Sequence, residues 1–547
     1  MKRHLFLAAT LLFLVASYNA MSQQKSDSLE SRAERTNFTE TTRYEEVIAF
    51  VNEVQKRTPL ASVEYFGQTS EGRKLPLVIF SNPPVHQPRD VRATGKPVVF
   101  VMANIHAGEV EGKEAVLNLM REIATGGPAA KLLDKVVILF APIYNADGNE
   151  KFDARNRQEQ NGPNEVGVRE NSQGLDLNRD YMKMESPEAH GLIMNVFNRW
   201  DPHVVVDLHT TDGSFHAYHL TYSPALTPNT NQAILDFTRN RMLPDITKTV
   251  LQKYNYRMYF YGNFTDDSGR EHNEVAKSWS TFDNRPRFGN NYVGLRNRIA
   301  ILSEAYSYAD FKTRIDVTEN FVRSILEYSA DHSGEILSMV NAADLDSVKR
   351  GLSPSASDVL GVRFKKAASY KGKPVDILVG SVDKETNSRR LKMTSKADPV
   401  KMIDYGEFAP DRTEPIPAAY ILRADQKAII DKLRDHGIAV TRLQSDTTLS
   451  VDAYVVDDVA HAARPFQKHN ETTLKVHKET RVETFPAGSY VVSMAQPLGR
   501  LVFYLLEPES DDGLVEWNFF DSAVGPQKDF PVYRVSKPVQ SPQVQVD

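Results

Sequence analysis

The feature that most constrains the fold of this chain is a series of short runs that are apolar throughout and rich in β-branched residues. Five of them fall between residues 75 and 303, and they read LPLVIFS, KPVVFVMA, KVVILFAPI, HVVVDL and RIAILS. Runs of this length without polar alternation are typical of strands that are buried on both faces. Such strands need cover from other elements on each side of their sheet.

Helical patterns separate several of these runs. The segment GKEAVLNLMREIA places apolar residues along one helix face, namely Ala115, Val116, Leu119 and Ile123. A segment from Thr42 to about Lys56 has the same spacing, and Thr39, Thr41 or Thr42 is available as its cap. Alternating strands and helices predict an α/β fold with a mixed, mainly parallel central sheet flanked by helices.

The later part of the chain has a different pattern. From about residue 350, short alternating segments with Pro and Gly turns predict a smaller, β-rich α+β domain. One βαβ-like unit interrupts them: AAYILR, a helix from a cap at Asp425 to His436, and IAVTRL after Gly437. Because 547 residues exceed what one hydrophobic core usually organises, we expect two domains, over 39–335 and 350–547.

The N-terminus has the order of a secretory signal peptide. Lys2 and Arg3 precede the apolar run LFLAATLLFLVA, and the small residues Ala20 and Ser22 follow. We predict a signal peptide over 1–22 and a polar lead-in over 23–38. The apolar run is shorter than the roughly 20 residues that span a bilayer, although an uncleaved anchor is the alternative. We therefore expect an exported protein, periplasmic or extracellular, with no integral membrane segment after signal removal.

Composition excludes several classes of function. The chain has no cysteine, which removes thiolate nucleophiles, disulfides and cysteine zinc ligands. Any metal must therefore be held by His, Asp or Glu. A net charge of -5 without a Lys/Arg cluster argues against nucleic acid as a partner.

Polar residues follow four of the apolar runs at the point where each predicted strand ends. They are Asn104, His106 and Glu109, then NADG at 145–148, then His209, and then Glu304. Ligands in open α/β sheets collect where strands end and loops begin. We therefore expect these residues to contribute to one site.

His106, Glu109 and His209 predict a metal centre. His106 and Glu109 can offer a nitrogen and a carboxylate oxygen from one turn, and His209 would complete three ligands. Two His and one Glu, with the fourth position left to water, is a catalytic zinc set. Asp207 or a backbone carbonyl could orient an imidazole from behind.

Three other histidines compete with His209 for the third ligand position. His203 starts a strand rather than ending one. His216 and His219 are interpreted as surface or pocket-wall residues, because His209 alone follows the buried run directly. We therefore prefer His209 over His216.

A second polar cluster, VGVRENSQGLDLNRDY, occupies residues 166–181. It contains Arg169, Asn178 and Arg179. Paired Arg and Asn side chains can fork onto a carboxylate, and an Arg beside a metal can stabilise an oxyanion. A solvated polar loop is the alternative for either arginine alone.

With these motifs the chain resembles the zinc carboxypeptidases of the carboxypeptidase A type over roughly residues 40–330. The resemblance is carried, in order, by SEGR (70–73), HAGE (106–109), NADG (145–148), GLDLNRD (174–180), VDLH (206–209) and LSEA (302–305). The segment after residue 350 resembles C-terminal extensions found in some bacterial members, through PAGSYVVSMAQPLGRLVFYLLEPES and WNFF.

The resemblance implies a role for each matching residue. His106, Glu109 and His209 match the ligands of one Zn²⁺ per chain, and Glu304 matches the general base. Asn178 and Arg179 match the pair that grips the terminal carboxylate of the substrate. Arg169 matches the arginine that stabilises the oxyanion, with Arg155 and Arg157 as alternatives.

The chain departs from the family pattern at two places. Gly108 stands where the ligand loop often carries Arg or another large polar residue. The tyrosine held over the substrate, some twenty residues before the base, has no clean counterpart in STFDNRPRFGNNY, and Tyr292 is too close to Glu304.

The resemblance implies a zinc-dependent hydrolase that cleaves amide bonds next to a terminal residue bearing a free carboxylate, in peptides or peptide-like substrates. The alternative substrates are murein peptides or N-acyl amino acids. A binding protein on an inactive hydrolase scaffold would have lost a ligand or the base, and all of these are present.

Overall fold

The structure is a computed structural model that describes residues 29–211 and 213–546. The predicted signal peptide, and the predicted lead-in up to residue 28, lie outside the described residues. The rest of the lead-in contains the short helix α1 (Arg32–Arg35), whose Ala33 is buried. Within the described part of the chain, no helix is long and apolar enough to cross a membrane.

A mixed sheet of eight strands forms the centre of the first region. The strands of this region are β1 (Ala61–Gln68), β2 (Lys74–Phe80), β3 (Val98–Ala103), β4 (Val137–Ala141), β5 (Val204–Thr211), β6 (Leu220–Ser223), β7 (Met258–Phe260), β8 (Asn263–Thr265), β9 (Ser278–Ser280) and β10 (Ile299–Tyr306). The sheet order is β1-β2-β4-β3-β5-β10-β6-β7. Neighbours within β4-β3-β5-β10 are parallel, whereas β1, β2 and β4 pair antiparallel. Each of the five predicted runs is a strand, and the predicted sheet is confirmed.

Helices accompany this sheet along the chain. They are α2 (Tyr44–Arg57), α3 (Pro88–Thr94), α4 (Glu111–Ala124), α5 (Ala146–Asn149), α6 (Pro187–Leu192), α7 (Gln232–Phe237), α8 (Leu243–Tyr254), α9 (Gly289–Leu295), α10 (Phe311–Asp331) and α11 (Ser333–Leu352). Short 3₁₀ turns lie at Pro128–Asp134 and Leu177–Arg179, and π-helical turns at Ile193–Phe197 and Thr238–Met242. The residues of the apolar face predicted for GKEAVLNLMREIA are buried in α4, and so are the charged residues Glu111, Lys113 and Glu114.

The predicted cap of α2 is wrong. The helix follows Arg43, whose backbone N–H donates to Oε2 of Glu46 at 2.9 Å. The hydroxyls of Thr41 and Thr42 instead donate to the buried carboxylate of Glu114 at 2.7 and 2.8 Å. These threonines therefore tie the start of α2 to α4, because a buried carboxylate needs hydrogen-bond donors.

The C-terminal segment (residues 353–546) is β-rich. Its strands are β11 (Val359–Ala367), β12 (Val375–Val379), β13 (Val382–Lys384), β14 (Leu391–Met393), β15 (Asp398–Tyr405), β16 (Glu407–Pro415), β17 (Ala419–Leu422), β18 (Thr441–Leu443), β19 (Thr447–His461), β20 (Thr472–Phe485), β21 (Tyr490–Ser493), β22 (Asp529–Val535) and β23 (Gln543–Gln545), with helices α12 (Lys427–Asp435) and α13 (Gly499–Leu506). Its largest sheet has the order β20-β19-β22-β17-β21-β18-β23. Both β17 and β18 run antiparallel to β21, so β17-α12-β18 has the predicted βαβ-like direction.

Residues of the two predicted domains pack together in one sheet and one hydrophobic cluster. The predicted boundary near residues 335–350 falls within α11, and the four-stranded sheet β12-β15-β9-β8 takes strands from both sides of it. Trp279 of β9 is buried in one cluster with Ile377 and Met402 of the C-terminal segment. The division into domains stays a prediction, but the C-terminal segment is packed against the region that carries the site.

Candidate metal centre

The register of the parallel strands brings two predicted site residues side by side. In the pairing of β5 with β10, His209 lies opposite Glu304. On the other side of β5, Leu208 pairs with Ala103, the last residue of β3. The loop that follows β3 carries His106 and Glu109 into α4. Strand ends that were separate in the sequence therefore meet at one edge of the sheet.

Three side chains converge there. Nδ1 of His209 lies 3.2 Å from Nδ1 of His106 and 2.9 Å from Oε2 of Glu109. Nδ1 of His106 lies 3.0 Å from Oε1 of Glu109. All three residues are buried. Among the described residues they form a group of three possible metal ligands, because one ligand atom from each lies within 4.8 Å of the other two.

An aspartate stands behind each histidine. Nε2 of His106 lies 3.0 Å from Oδ1 of Asp176, and Nε2 of His209 lies 2.9 Å from Oδ2 of Asp207. A carboxylate in this position fixes the orientation of an imidazole and raises its basicity as a metal ligand. The sequence predicted this role for Asp207 but not for Asp176.

Charge inside the cluster shifts the pKa of its members. Burial disfavours the charge on Glu109, but His106 and Arg157 hold its pKa well below the usual range. Burial also opposes protonation of His209, yet the carboxylates of Asp207 and Glu109 raise its pKa well above the usual value. Without a metal the site therefore favours a proton on His209 beside an ionised Glu109.

The donor set fits a zinc ion. Two imidazole nitrogens only 3.2 Å apart have lone pairs that need a shared cation or proton between them. Two His and one Glu are a known catalytic zinc combination, which leaves a fourth position open. His106, Glu109 and His209 are the residues that would hold the ion.

Glu304 lines the same pocket as the three candidate ligands. Its side chain is half-buried, and burial raises its pKa to about 8, opposed by His209 and reinforced by Glu109. A carboxyl group with a pKa near neutrality can both accept and return a proton. Glu304 therefore has the position and the chemistry of an acid–base group.

Two of the three candidate arginines reach the pocket. Arg157 donates to Oε1 of Glu109 at 2.5 Å, and Arg169 donates to Oδ2 of Asp176 at 2.9 Å. Arg169 also lies 3.8 Å from Glu109, and both arginines line the pocket. Arg155 is largely exposed and pairs with Asp153 at 2.5 Å, and it is not among the pocket residues.

Asn178 and Arg179 also line the pocket. Oδ1 of Asn178 accepts a hydrogen bond from the backbone N–H of Gly289 at 2.9 Å. The guanidinium carbon of Arg179 lies 3.8 Å from the ring centre of Phe288. This stacking holds the planar guanidinium in one orientation.

NADG contributes no metal ligand, contrary to its place among the predicted strand-end residues. Asn145 caps α5 and donates through Nδ2 to the backbone carbonyl of Arg169 at 3.1 Å. Asp147 accepts from Arg73 of the SEGR motif at 2.7 Å and from Thr69 at 2.6 Å. Both motifs therefore support the loop that carries Arg169.

The competing histidines lie away from the centre. His203, which directly precedes β5, accepts a hydrogen bond from the backbone N–H of Val98, the first residue of β3. His216 is fully buried in an aromatic cluster with Trp279 and Tyr306, so its interpretation as a surface or pocket-wall residue is wrong. His219 lines a different pocket.

Several pocket residues were missed from the sequence. They are Thr210, Thr211, Tyr261, Phe282, Asp283, Phe288 and Leu302. Asp176, which was also missed, does not line the pocket but lies behind His106. Phe282 lies some twenty residues before Glu304 in the sequence and lines the pocket, but it has no hydroxyl. Tyr292 is buried and hydrogen-bonds to His436, so it does not take that place. Tyr261, Phe282, Asp283 and Phe288 lie in loops, where no spacing pattern marks them, whereas Thr210, Thr211 and Leu302 belong to β5 and β10.

Known proteins that are similar to this chain are zinc carboxypeptidases, which agrees with the candidate metal centre. Residues 47–286 match the sequence model of the Peptidase_M14 family, zinc carboxypeptidase. Carboxypeptidase 2 of Trichophyton tonsurans is 25% identical over 495 residues, which are 86% of this chain and 81% of that protein. Carboxypeptidase D of Homo sapiens is 34% identical over 137 residues, which are 24% of this chain and 9% of that protein.

A solved metallo-carboxypeptidase from Burkholderia cenocepacia is 18% identical, with 53% of this chain and 70% of that chain covered and a TM-score of 0.38. The residues matched by the family include His106, Glu109 and His209 and end before Glu304. The family match over residues 47–286, the relatives of similar length and the metal-ligand cluster together support a zinc carboxypeptidase of the M14 family of peptide hydrolases.

Proposed function

We propose that this chain removes C-terminal residues from peptides as a metallocarboxypeptidase with one zinc ion per chain. The convergence of His106, Glu109 and His209 with Glu304 in one pocket is the observation that carries the proposal. Its N-terminal sequence supports export to the periplasm or exterior.

Glu304 is the proposed general base. When bound, zinc supplies a Lewis acid that polarises the scissile carbonyl and lowers the pKa of water. Glu304 takes the proton of the attacking water and passes it to the leaving amine. Its position supports this role, because Glu304 lines the same pocket as the three candidate ligands and lies opposite His209 in the sheet.

The pocket arginines bind negative charge on the substrate. Asn178 and Arg179 anchor the terminal carboxylate of the peptide. Arg169 meets the charge that develops on the scissile oxygen, and Arg157 remains the alternative because it also reaches Glu109 at 2.5 Å. Anchoring one carboxylate at a fixed distance from the metal restricts cleavage to the last amide bond.

The test is the Glu304→Gln variant. We expect it to keep one zinc per chain, measured by atomic absorption, and to lose hydrolysis by about 10²–10⁴-fold because it cannot transfer a proton. Substrates are a peptide pool and murein fragments, read by mass spectrometry. Stepwise loss of C-terminal residues supports the proposal, whereas release only at isopeptide bonds assigns the activity to murein.

Glu509→Gln is the matched control. Glu509 is a buried glutamate of the C-terminal segment whose pKa is also raised by burial, and it pairs with Arg412 rather than with the site. Its variant should keep wild-type activity. Full hydrolysis by Glu304→Gln would exclude Glu304 as the base, and the absence of any chelator-sensitive cleavage by the wild type would exclude the function.

A further inference from the structure

Arg287 is a buried arginine whose whole side chain is held by the C-terminal segment. Nε donates to Asp512 at 2.9 Å, Nη1 to Glu471 at 2.8 Å, and Nη2 to Glu516 at 2.5 Å. The backbone N–H of Arg287 donates to the same Asp512. We call Glu471, Asp512 and Glu516 the carboxylate clamp, because together they bind one guanidinium from three directions.

Aromatic rings enclose this clamp. The guanidinium carbon of Arg287 lies 4.6 Å from the ring centre of Trp517 and 5.2 Å from that of Phe466. Trp517 also donates from Nε1 to Asp512 at 2.9 Å. Charge-assisted bonds in a site that excludes water are strong and directional. The position of Arg287 is therefore set by the C-terminal segment.

The two residues that follow Arg287 hold the proposed carboxylate anchor. Phe288 stacks under the guanidinium of Arg179 at 3.8 Å, and Gly289 donates its N–H to Asn178 at 2.9 Å. A Cβ on Gly289 would fall 2.6 Å from Cζ of Tyr181, so the backbone of Gly289 packs directly against the ring of Tyr181. Because consecutive residues move together, a displacement of Arg287 displaces both contacts.

The clamp also reaches the residues just before Arg287. Oε1 of Glu516 accepts from Arg285 at 3.5 Å as well as from Arg287. Arg285 donates to Asp283 at 2.7 Å, and Asp283 lines the pocket beside Phe282. The whole wall over 282–289 is thus fixed from behind by residues that lie more than 150 positions later in the chain.

We propose that Arg287 is a positioning residue for the terminal carboxylate of the substrate, and that the carboxylate clamp makes the C-terminal segment part of the active site. This inference rests on the proposed function, because it takes Asn178 and Arg179 as the anchor. Arg287 acts through Phe288 and Gly289 and does not itself touch the substrate.

The test compares Arg287→Gln and the milder Glu471→Gln with a control, Arg534→Gln. Arg534 is also buried and ion-paired, at 3.1 Å to Glu507, but its partners lie within the C-terminal segment. Each variant is loaded with zinc. The measurements are zinc content, the melting temperature, kcat and KM for a peptide with a free C-terminal carboxylate, and calorimetric binding of an alkylsuccinate.

We expect Arg287→Gln to raise KM and the Kd for the alkylsuccinate about tenfold with kcat changed less than about threefold, because ground-state binding is lost while the metal and base stay in place. Glu471→Gln should shift both constants in the same direction by a smaller factor. Arg534→Gln should lower the melting temperature without moving either constant. Zinc content should stay at the wild-type level in all three.

Unchanged KM and Kd in folded, zinc-loaded Arg287→Gln would overturn the proposal, and so would an equal rise in Arg534→Gln. If Arg287→Gln does not fold, Glu471→Gln decides the question by the same two constants. If the wild type binds the alkylsuccinate but hydrolyses no peptide, the result excludes the proposed function but not the positioning role of Arg287. Weaker alkylsuccinate binding by the variants would then still support Arg287 as a positioning residue.

Discussion

Asp176 joins three parts of the candidate site. Its Oδ1 lies 3.0 Å from Nε2 of His106 and accepts from the backbone N–H of Asn178 at 2.9 Å. Its Oδ2 accepts from Arg169 at 2.9 Å. Burial alone would raise the pKa of Asp176, but His106, Arg169 and Arg179 hold it below the usual range. One ionised carboxylate therefore orients a candidate metal ligand and the proposed oxyanion arginine together.

Asp176→Asn should weaken zinc binding by about 10–100-fold, because the amide no longer fixes the imidazole of His106 or raises its basicity. Competition against a chromophoric chelator at fixed pH measures this change. Asp153→Asn is the control, since the side chain of Asp153 pairs with Arg155 rather than with a candidate metal ligand. Wild-type zinc affinity in Asp176→Asn would refute the role assigned to Asp176.

Gly108 explains one departure from the family pattern. A Cβ at this position would lie 2.9 Å from the carbonyl oxygen of Gly167 and 3.0 Å from Cγ of Arg157. The absence of a side chain at Gly108 therefore gives Arg157 room to reach Glu109. A large polar side chain at position 108 would occupy the space that Arg157 fills in its present position.

At the scale of strands and loops, the sequence predicted those site residues that follow a recognisable run of buried residues. His209 and Glu304 were found because each follows a run of buried residues, and β5 and β10 then align them in register. Asp176 and Phe288 were missed because their roles depend on distances between loops, which no local pattern contains. The contribution of NADG to the site is indirect, since Asn145 supports the loop of Arg169 through a hydrogen bond to its backbone carbonyl.

The loop between β19 and β20 brings a polar residue of the C-terminal segment to the site. Oε1 of Gln467 accepts from the backbone N–H of Asp176 at 2.9 Å. Gln467 and Lys468 have φ of 49° and 70°, left-handed conformations that cost a residue with a side chain about 1–2 kcal/mol. Packing of Phe466 against Trp517 and the contact of His469 with Glu185 hold the loop in place.

Gln467→Ala should lower kcat/KM by about 3–10-fold, since one hydrogen bond to a loop that carries site residues is worth about 1 kcal/mol. The zinc content should not change. Lys468→Ala is the control on the same loop, because it keeps the Gln467 contact. Steady-state kinetics on both variants decide the point, and equal losses would assign the effect to loop stability rather than to the contact with Asp176.

At the scale of the whole molecule, His436 joins the C-terminal segment to the region that carries the site. Its Nδ1 lies 2.8 Å from the hydroxyl of Tyr292, and its Nε2 lies 3.1 Å from the carbonyl oxygen of Met182. A neutral imidazole satisfies both partners by accepting at Nδ1 and donating at Nε2. Burial, and then the charge of Lys432, lower the pKa of His436 to about 3.

Burial also lowers the pKa of three other histidines, to about 4 in His203, about 3 in His216 and about 4 in His219. In the unfolded chain a histidine titrates near 6.5. Below that pH the unfolded state binds more protons than the native state, so the free energy of unfolding decreases as the pH falls. This stabilisation is present above about pH 6.5 and is lost towards pH 4 to 3.

His436→Gln should flatten this pH dependence, because a glutamine can bond to Tyr292 and Met182 without titrating. A single histidine with the pKa of His436 removes about 2 kcal/mol of stability between pH 7.5 and pH 5. The difference in unfolding free energy between those pH values, from urea denaturation, should therefore be about 2 kcal/mol smaller in the variant. His86→Gln, at an exposed histidine, should behave as the wild type. A wild-type pH dependence in His436→Gln would mean that His436 does not couple protonation to the packing of the two regions.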